Sequence, residues 1–132
     1  MLLLDYGLSS ILNRSMGFKM KVIIAGSRTG AKFADVQKAI EQAQFDITFV
    51  VSGKANGVDT LGEVWALKNN IKVIEFPAEW VKWGKSAGYR RNVEMANYAD
   101  ALIAVWDGKS VGTKHMINIA KDKGLQVFVY QF

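Results

Sequence analysis

The sequence predicts a three-layer α/β sandwich: a mostly parallel five-stranded sheet with helices on both faces. Two observations carry this. Five short apolar runs rich in β-branched residues recur along the chain, as strands buried on both faces require. Between them lie segments whose apolar residues recur at helical spacing. Strand, helix, strand, repeated, builds a parallel sheet through crossover connections.

Residues 1–18 carry leucines, serines and several breakers without a clean period, and read as an accessory segment. Either Met16 or Met20 is a natural start, or residues 2–13 form an added helix. A single domain is expected over residues 19–132. Met20–Ala25 is the first strand, broken by Gly26-Ser27-Arg28-Thr29-Gly30. Phe33, Val36, Ile40 and Ala43 then mark a helix. Ile47–Val51 is the second strand, with a glycine-bounded turn after it, Gly53 to Gly57. Leu61, Val64 and Trp65 lie on one face of the next helix, and Thr60 with Glu63 fits a capping box. Ile71–Phe76 is the third strand, ended by Pro77. Ala78–Gly88 reads as a structured loop and Arg91–Ala99 as a helix. Ala101–Trp106 is the fourth strand and Gly108–Gly112 a loop. Thr113–Lys123 is a helix with Met116, Ile119 and Ala120 on one side, Gly124 is its stop, and Leu125–Tyr130 is the fifth strand.

Composition narrows the chemistry. Half of the 132 residues are hydrophobic, 22% are charged and there is one proline, which excludes disordered and collagen-like chains. With no cysteine there is no disulfide framework, thiolate metal site or cysteine nucleophile, and one histidine excludes a His-rich metal centre. The cysteine count fits a cytoplasmic protein. No apolar stretch approaches the roughly 20 residues of a membrane span, so no membrane partner is expected. The net charge of +5 suits an anionic partner: nucleotide, nucleic acid or lipid.

In such sheets ligands bind beyond the carboxyl ends of the strands, where strand order reverses. Function is therefore read from the residues just after each strand. After the first come Gly26, Ser27 and Arg28: close backbone approach, a hydroxyl and a bidentate cation. Ser52, Gly53, Gly57 and Asp59 come after the second, where free N–H groups at a helix start favour an anion and Asp59 could reach a ribose hydroxyl. This is neither a Walker A loop nor G-x-G-x-x-G. Beyond the third strand, Trp80, Trp83 and Tyr89 alternate with Lys82, Lys85, Arg90 and Arg91, with no acid between Trp80 and Arg91. Aromatic faces stack bases and cations meet phosphate. The fourth strand leads to Asp107, Gly108, Gly112 and Thr113, a second anion nest in which Asp107 could act as a base. His115 reads as a surface or packing histidine.

These residues have a familiar order. Ile24–Arg28, Ser52–Leu61, Phe76–Trp80, Gly84–Asn92 and Gly112-Thr113 resemble, block by block, the YspA/YpsA-related branch of the SLOG superfamily. That superfamily also holds the DNA-processing protein DprA and the LOG cytokinin-activating phosphoribohydrolases. The resemblance spans about residues 20–130 and implies a Rossmann-like fold, a bacterial or phage origin and a nucleotide-derived ligand. Carried over, the ligand-binding positions are Gly26, Ser27, Arg28, Gly53, Gly57, Asp59, Arg91, Asn92, Gly112 and Thr113; Asn92 rests on the family pattern alone. Oligomers are implied as well. The chain departs from the LOG hydrolases, whose pattern is P-G-G-x-G-T-x-x-E. Here Trp106-Asp107-Gly108 replaces P-G-G and Met116 stands at the catalytic glutamate. A thioether cannot manage protons.

The leading expectation is a module that binds or senses a nucleotide or its derivative, such as an ADP-ribose-like, NAD-derived or cyclic ligand. A bound nucleotide is the one cofactor-like molecule implied, and none is required. The first alternative is a hydrolase cleaving an N-glycosidic or phosphoester bond, with Asp107 or Asp59 as the carboxylate. The second is single-stranded nucleic-acid binding of the DprA type.

Overall fold

A computed structural model describes residues 19–132, and the expected accessory segment 1–18 lies outside the described residues. Five strands form one sheet: β1 (Lys21–Gly26), β2 (Phe49–Ser52), β3 (Lys72–Glu75), β4 (Ala101–Trp106) and β5 (Gln126–Gln131). Their order is β3-β2-β1-β4-β5, and every neighbouring pair is parallel. Chain order reverses between β1 and β4, so the crevice favoured by ligands opens at their carboxyl ends.

The helices are α1 (Phe33–Ala43), α2 (Val58–Lys68), the single turn α3 (Trp80–Trp83), α4 (Ala87–Tyr98) and α5 (Val111–Asp122). Alternation along β1 builds two cores. Val22 and Ile24 join Val36 and Ile40 of α1 and Val58 and Ala66 of α2 on one face. Ile23 and Ala25 join Met95 and Ala96 of α4 and Met116 and Ile117 of α5 on the other. Each such aliphatic side chain contributes about 1.5–3 kcal/mol on full burial. This double cover is why β1 and β4 read as unbroken apolar runs.

Local physics ends the helices. After α5, Gly124 at φ +81° lets its own N–H bond Lys121 O at 3.0 Å and the Leu125 N–H bond Ala120 O at 3.0 Å. That is a full Schellman stop. After α2, Asn70 takes the same left-handed place at φ 56°, and the Ile71 N–H reaches Ala66 O at 2.9 Å.

Four expectations need correction. Residues 78–88 are not a loop: Trp80–Trp83 is a helical turn, Gly84–Ser86 a 3-10 turn, and α4 already begins at Ala87. Gly84, at φ 57°, breaks the two turns apart without ending the helical course, which hides it from a reading by breakers. Thr60 and Glu63 form no capping box, because α2 starts at Val58 with Gly57 as its cap. The Thr60 hydroxyl instead donates to Ala55 O at 3.2 Å, and Glu63 accepts from Ser52 Oγ at 2.6 Å. The fully buried face of α2 is Val58, Asp59, Gly62 and Ala66; Leu61 and Trp65 flank it, partly buried against the same core, and Val64 is exposed. Gly62 brings the helix onto β1 so closely that a β-carbon there would lie 2.8 Å from Ile24 Cγ2. Finally, α5 begins at Val111 rather than Thr113, and its buried side is Thr113, Met116, Ile117 and Ala120. Ile119 is only partly buried beside that core.

Candidate functional site

The loops after β1 and β2 are built onto each other. Gly57 has φ +79°, and a β-carbon on it would collide with the carbonyl oxygens of both Ser27 and Arg28. The next N–H, of Val58, bonds Ser27 O at 3.1 Å. Any side chain at 57 would therefore push the Arg28 loop away. Gly26 is equally constrained: a β-carbon would run into Val105 O. Ser27 is buried, and its Oγ accepts the Asp107 N–H at 3.0 Å, tying the β1 loop to the β4 loop.

Three adjoining cavities open above this switch point. The first, about 410 Å³ counting its open mouth, is lined by Gly26, Arg28, Asp59, Arg91, Asn92 and Thr113, with Ala25, Ala55, Met95, Ser110, Gly112 and Met116. The second adds Trp80, Lys85, Gly88 and Tyr89. Gly53, Lys54, Asn56 and Pro77 border the third, with Trp80 again. Arg28 and Arg91 line all three. Among their lining residues Asp59 is the only carboxylate.

The two arginines are held differently. Arg28 is exposed and makes no hydrogen bond or ion pair with any described residue. Arg91 is half-buried: its Nη1 donates to Gly53 O and its Nε to Asn92 Oδ1 at 3.1 Å. Burial lowers the Arg91 pKa, with the Arg28 charge acting the same way and Asp59 opposing both. Asp59 is 4% exposed, and burial pushes its carboxyl up to about 6 against the Ala55 N–H and the Arg91 charge. Its Oδ2 accepts that N–H at 3.2 Å. A buried carboxyl poised near neutrality, beside a guanidinium and open to a cavity, can hold a ligand hydroxyl or move a proton.

Other expected residues lie apart from the cavities. Ser52 is fully buried and holds Glu63, which pairs with Lys54 at 2.8 Å; this network fixes the Gly53–Gly57 turn. Arg90 faces out, its guanidinium carbon 3.9 Å from the centre of the Trp83 ring and its Nε on Ser86 Oγ. Asp107 lines none of the three cavities. Its Oδ1 accepts the N–H groups of Lys109 and Ser110 at 2.8 Å each, and those bonds hold its pKa low. Gly108, at φ +81°, shapes that turn.

A model of the YspA, cpYpsA-related SLOG family matches residues 20–83. The Gene 61 protein of Mycobacterium phage D29 is 33% identical over 116 residues, which cover 81% of this chain and 93% of that protein. The chain belongs to the YspA, cpYpsA-related SLOG family. In fold, this SLOG domain is similar to DNA processing protein A (DprA) from Streptococcus pneumoniae, with a TM-score of 0.66 at 21% identity. The likeness covers 86% of this chain and 50% of DprA, so the SLOG chain spans half the length of that neighbour.

The matched stretch holds the β1 and β2 loops and Trp80, while Arg91, Asn92, Gly112 and Thr113 lie beyond it. The structure brings those four to the same cavity as Arg28 and Asp59. Met116 also faces this cavity of the SLOG domain, so a thioether stands where the LOG pattern has its glutamate. Sequence reasoning missed Ala55, Met95 and Ser110 as lining residues. Small and apolar side chains carry no chemical signal of their own. Among the described residues, no helix is long and apolar enough to cross a membrane.

Proposed function

We propose that the protein binds a nucleotide-derived anion, with phosphate between Arg28 and Arg91, sugar toward Asp59 and base beside Trp80. One observation carries the reading: two guanidinium groups, one of them without a partner among the described residues, line all three of these adjoining cavities at the sheet's switch point. Paired arginines recognise phosphate oxygens through bidentate, charge-assisted bonds. The start of α5, whose first turn has no side-chain cap and borders the cavity at Gly112, adds a favourable dipole for the same anion. SLOG membership supports the nucleotide class.

The test is isothermal titration and thermal shift with ADP-ribose, NAD, cyclic dinucleotides and nucleoside monophosphates, with inorganic phosphate as the control. A nucleotide that raises the melting temperature and binds at least ten times more tightly than phosphate supports the reading. If every compound binds no better than phosphate, it fails.

A second reading is hydrolysis of the bound nucleotide, and Asp59 is the observation in its favour. It is the one carboxylate in the cavities, with a pKa near the working pH of a general acid or base. Release of base or ribose phosphate, abolished in Asp59→Asn, would establish turnover. Intact nucleotide after prolonged incubation leaves binding alone.

A further inference from the structure

The single histidine of the chain stands behind Arg91, one of the two arginines that line all three cavities. Asn92 connects them. Its Oδ1 accepts from Arg91 Nε at 3.1 Å, and its Nδ2 faces Gly112 O at 3.4 Å and His115 Nδ1 at 3.1 Å. Chemistry fixes the amide's orientation. An arginine Nε can only donate and a backbone carbonyl can only accept, so the Asn92 oxygen must face Arg91 and its nitrogen must face α5. His115 Nδ1 is then obliged to accept, which puts the ring proton on Nε2.

We propose that His115 is a positioning residue: its neutral, Nε2-protonated ring locks the Asn92 amide, which orients the Arg91 guanidinium in the crevice. The consequence for ligands rests on the anion-binding reading given above. Protonation at Nδ1 sets two donors face to face. The amide must then turn, which presents its NH2 group to Arg91 Nε and breaks the second bond too. Arg91 keeps only its bond to Gly53 O, and the guanidinium loses its fixed direction.

The surroundings suit this role. From α4, the Tyr89 ring packs on the imidazole with centroids 4.5 Å apart, and the Asn92 amide faces it, with Arg91 beyond. Lys114 is the charged neighbour on α5 itself. Burial holds the imidazole below its ordinary pKa, so the neutral ring prevails at pH 7.

Because there is one histidine, its ring nitrogens can be read directly by long-range 1H–15N NMR. At pH 7.5 the expected pattern is the Nε2–H tautomer almost alone, titrating below 6.5, with Asn92→Ala shifting the ring toward the mixed tautomers of a free imidazole. An Nδ1–H tautomer, or a spectrum indifferent to Asn92→Ala, overturns the proposal. The second arm titrates ADP-ribose, whose phosphodiesters carry no proton between pH 5 and 8. Between pH 7.5 and 5.5 wild-type affinity should fall, toward a ceiling of about five- to tenfold, the loss of one hydrogen bond, as the ring takes up its proton. Asp59 gains a proton over the same range, and that works in the opposite direction by removing a negative charge beside the anion. In His115→Gln, which keeps an acceptor but gains no proton, affinity relative to its own pH 7.5 value should not fall. An identical fall in His115→Gln overturns the proposal. Failure of wild type to bind any nucleotide at pH 7.5 overturns the ligand reading instead, and the NMR arm still decides the lock without ligand.

Discussion

Arg28 and Arg91 share the same crevice, and the charge of Arg28 works against that of Arg91. Two cations held together with a single buried carboxylate beside them form a site that an anion would relieve. The consequences of removing each arginine differ because their surroundings differ. Arg28→Ala should weaken nucleotide binding by about 1.5–3 kcal/mol, the worth of a charge-assisted contact, with little change in melting temperature. Arg91→Ala should lower both, since Arg91 also satisfies Gly53 O and Asn92. Calorimetry and thermal melts on the two variants check this. A sharp loss of stability in Arg28→Ala with unchanged affinity would make Arg28 structural.

The glycines divide in the same way. Gly57→Ala forces a β-carbon against two backbone oxygens at a positive φ, and should cost about 1–3 kcal/mol or more of stability. A β-carbon on Gly112 would meet nothing within 4 Å, yet Gly112 borders two of the cavities. Gly112→Ala should therefore hold or gain stability, by about 0.5–1 kcal/mol from helix propensity, while nucleotide affinity falls. Chemical denaturation with binding assays separates the two. Unchanged affinity in Gly112→Ala would mean that the ligand does not use that face of α5.

Strands and their order of chemistry were the legible part. Doubly buried β1 and β4 announce themselves as apolar runs, and Gly26, Arg28, Asp59, Arg91 and Thr113 are legible as cavity-lining candidates because each lies at or beyond the carboxyl end of a strand. Three kinds of feature were not legible. α2 centres its buried face on Gly62 and Ala66, with Leu61 and Trp65 only flanking it, so a reading by the largest apolar residues is shifted in phase. The 80–88 segment hides helical turns behind a glycine that bends rather than ends them. The third is contact across elements. Ser27 and Ser52 look like hydroxyls waiting for a ligand, but the fold uses both on its own loops. Asp107 likewise closes its own turn, and no spacing in one sequence distinguishes that from a catalytic carboxylate. The Arg91–Asn92–His115 chain joins α4 to α5 and exists only in three dimensions.

Asp59 gives stability a pH signature. Its folded pKa is raised from 3.8 to about 6, so the folded state holds a proton that the unfolded chain has already lost. Its favourable contribution is complete below 3.8 and disappears as pH rises through about 6. Above that, the buried charge costs on the order of 2–3 kcal/mol. Asp59→Asn keeps an acceptor for the Ala55 N–H without the charge. It should be more stable than wild type at pH 7.5 and equal to it near pH 3.5. Urea titrations at the two pH values measure this. An Asn variant that is less stable at pH 7.5 would mean that pairing with Arg91 outweighs burial.

Trp80 separates the nucleotide from a bare phosphate, and a mononucleotide from a strand. It is half exposed, borders two cavities and lies over Gly88, where a β-carbon would approach its ring at 3.4 Å. Base stacking on such a ring contributes about 1–3 kcal/mol. Trp80→Ala should reduce affinity for AMP by that amount and leave ribose 5-phosphate unchanged. The outer aromatic and basic groups, Trp83, Lys82 and Arg90, are the ones a single strand would add. Were they used, a thymidine oligonucleotide would bind more tightly than AMP, with log K falling against log salt at about 0.7 per phosphate contacted. Arg90→Ala would lower that slope. A crevice built for one nucleotide should show the shallow slope of one or two phosphates, the same for AMP and for the oligonucleotide, and no response to Arg90→Ala. A steep slope confined to the oligonucleotide would move the function to nucleic acid.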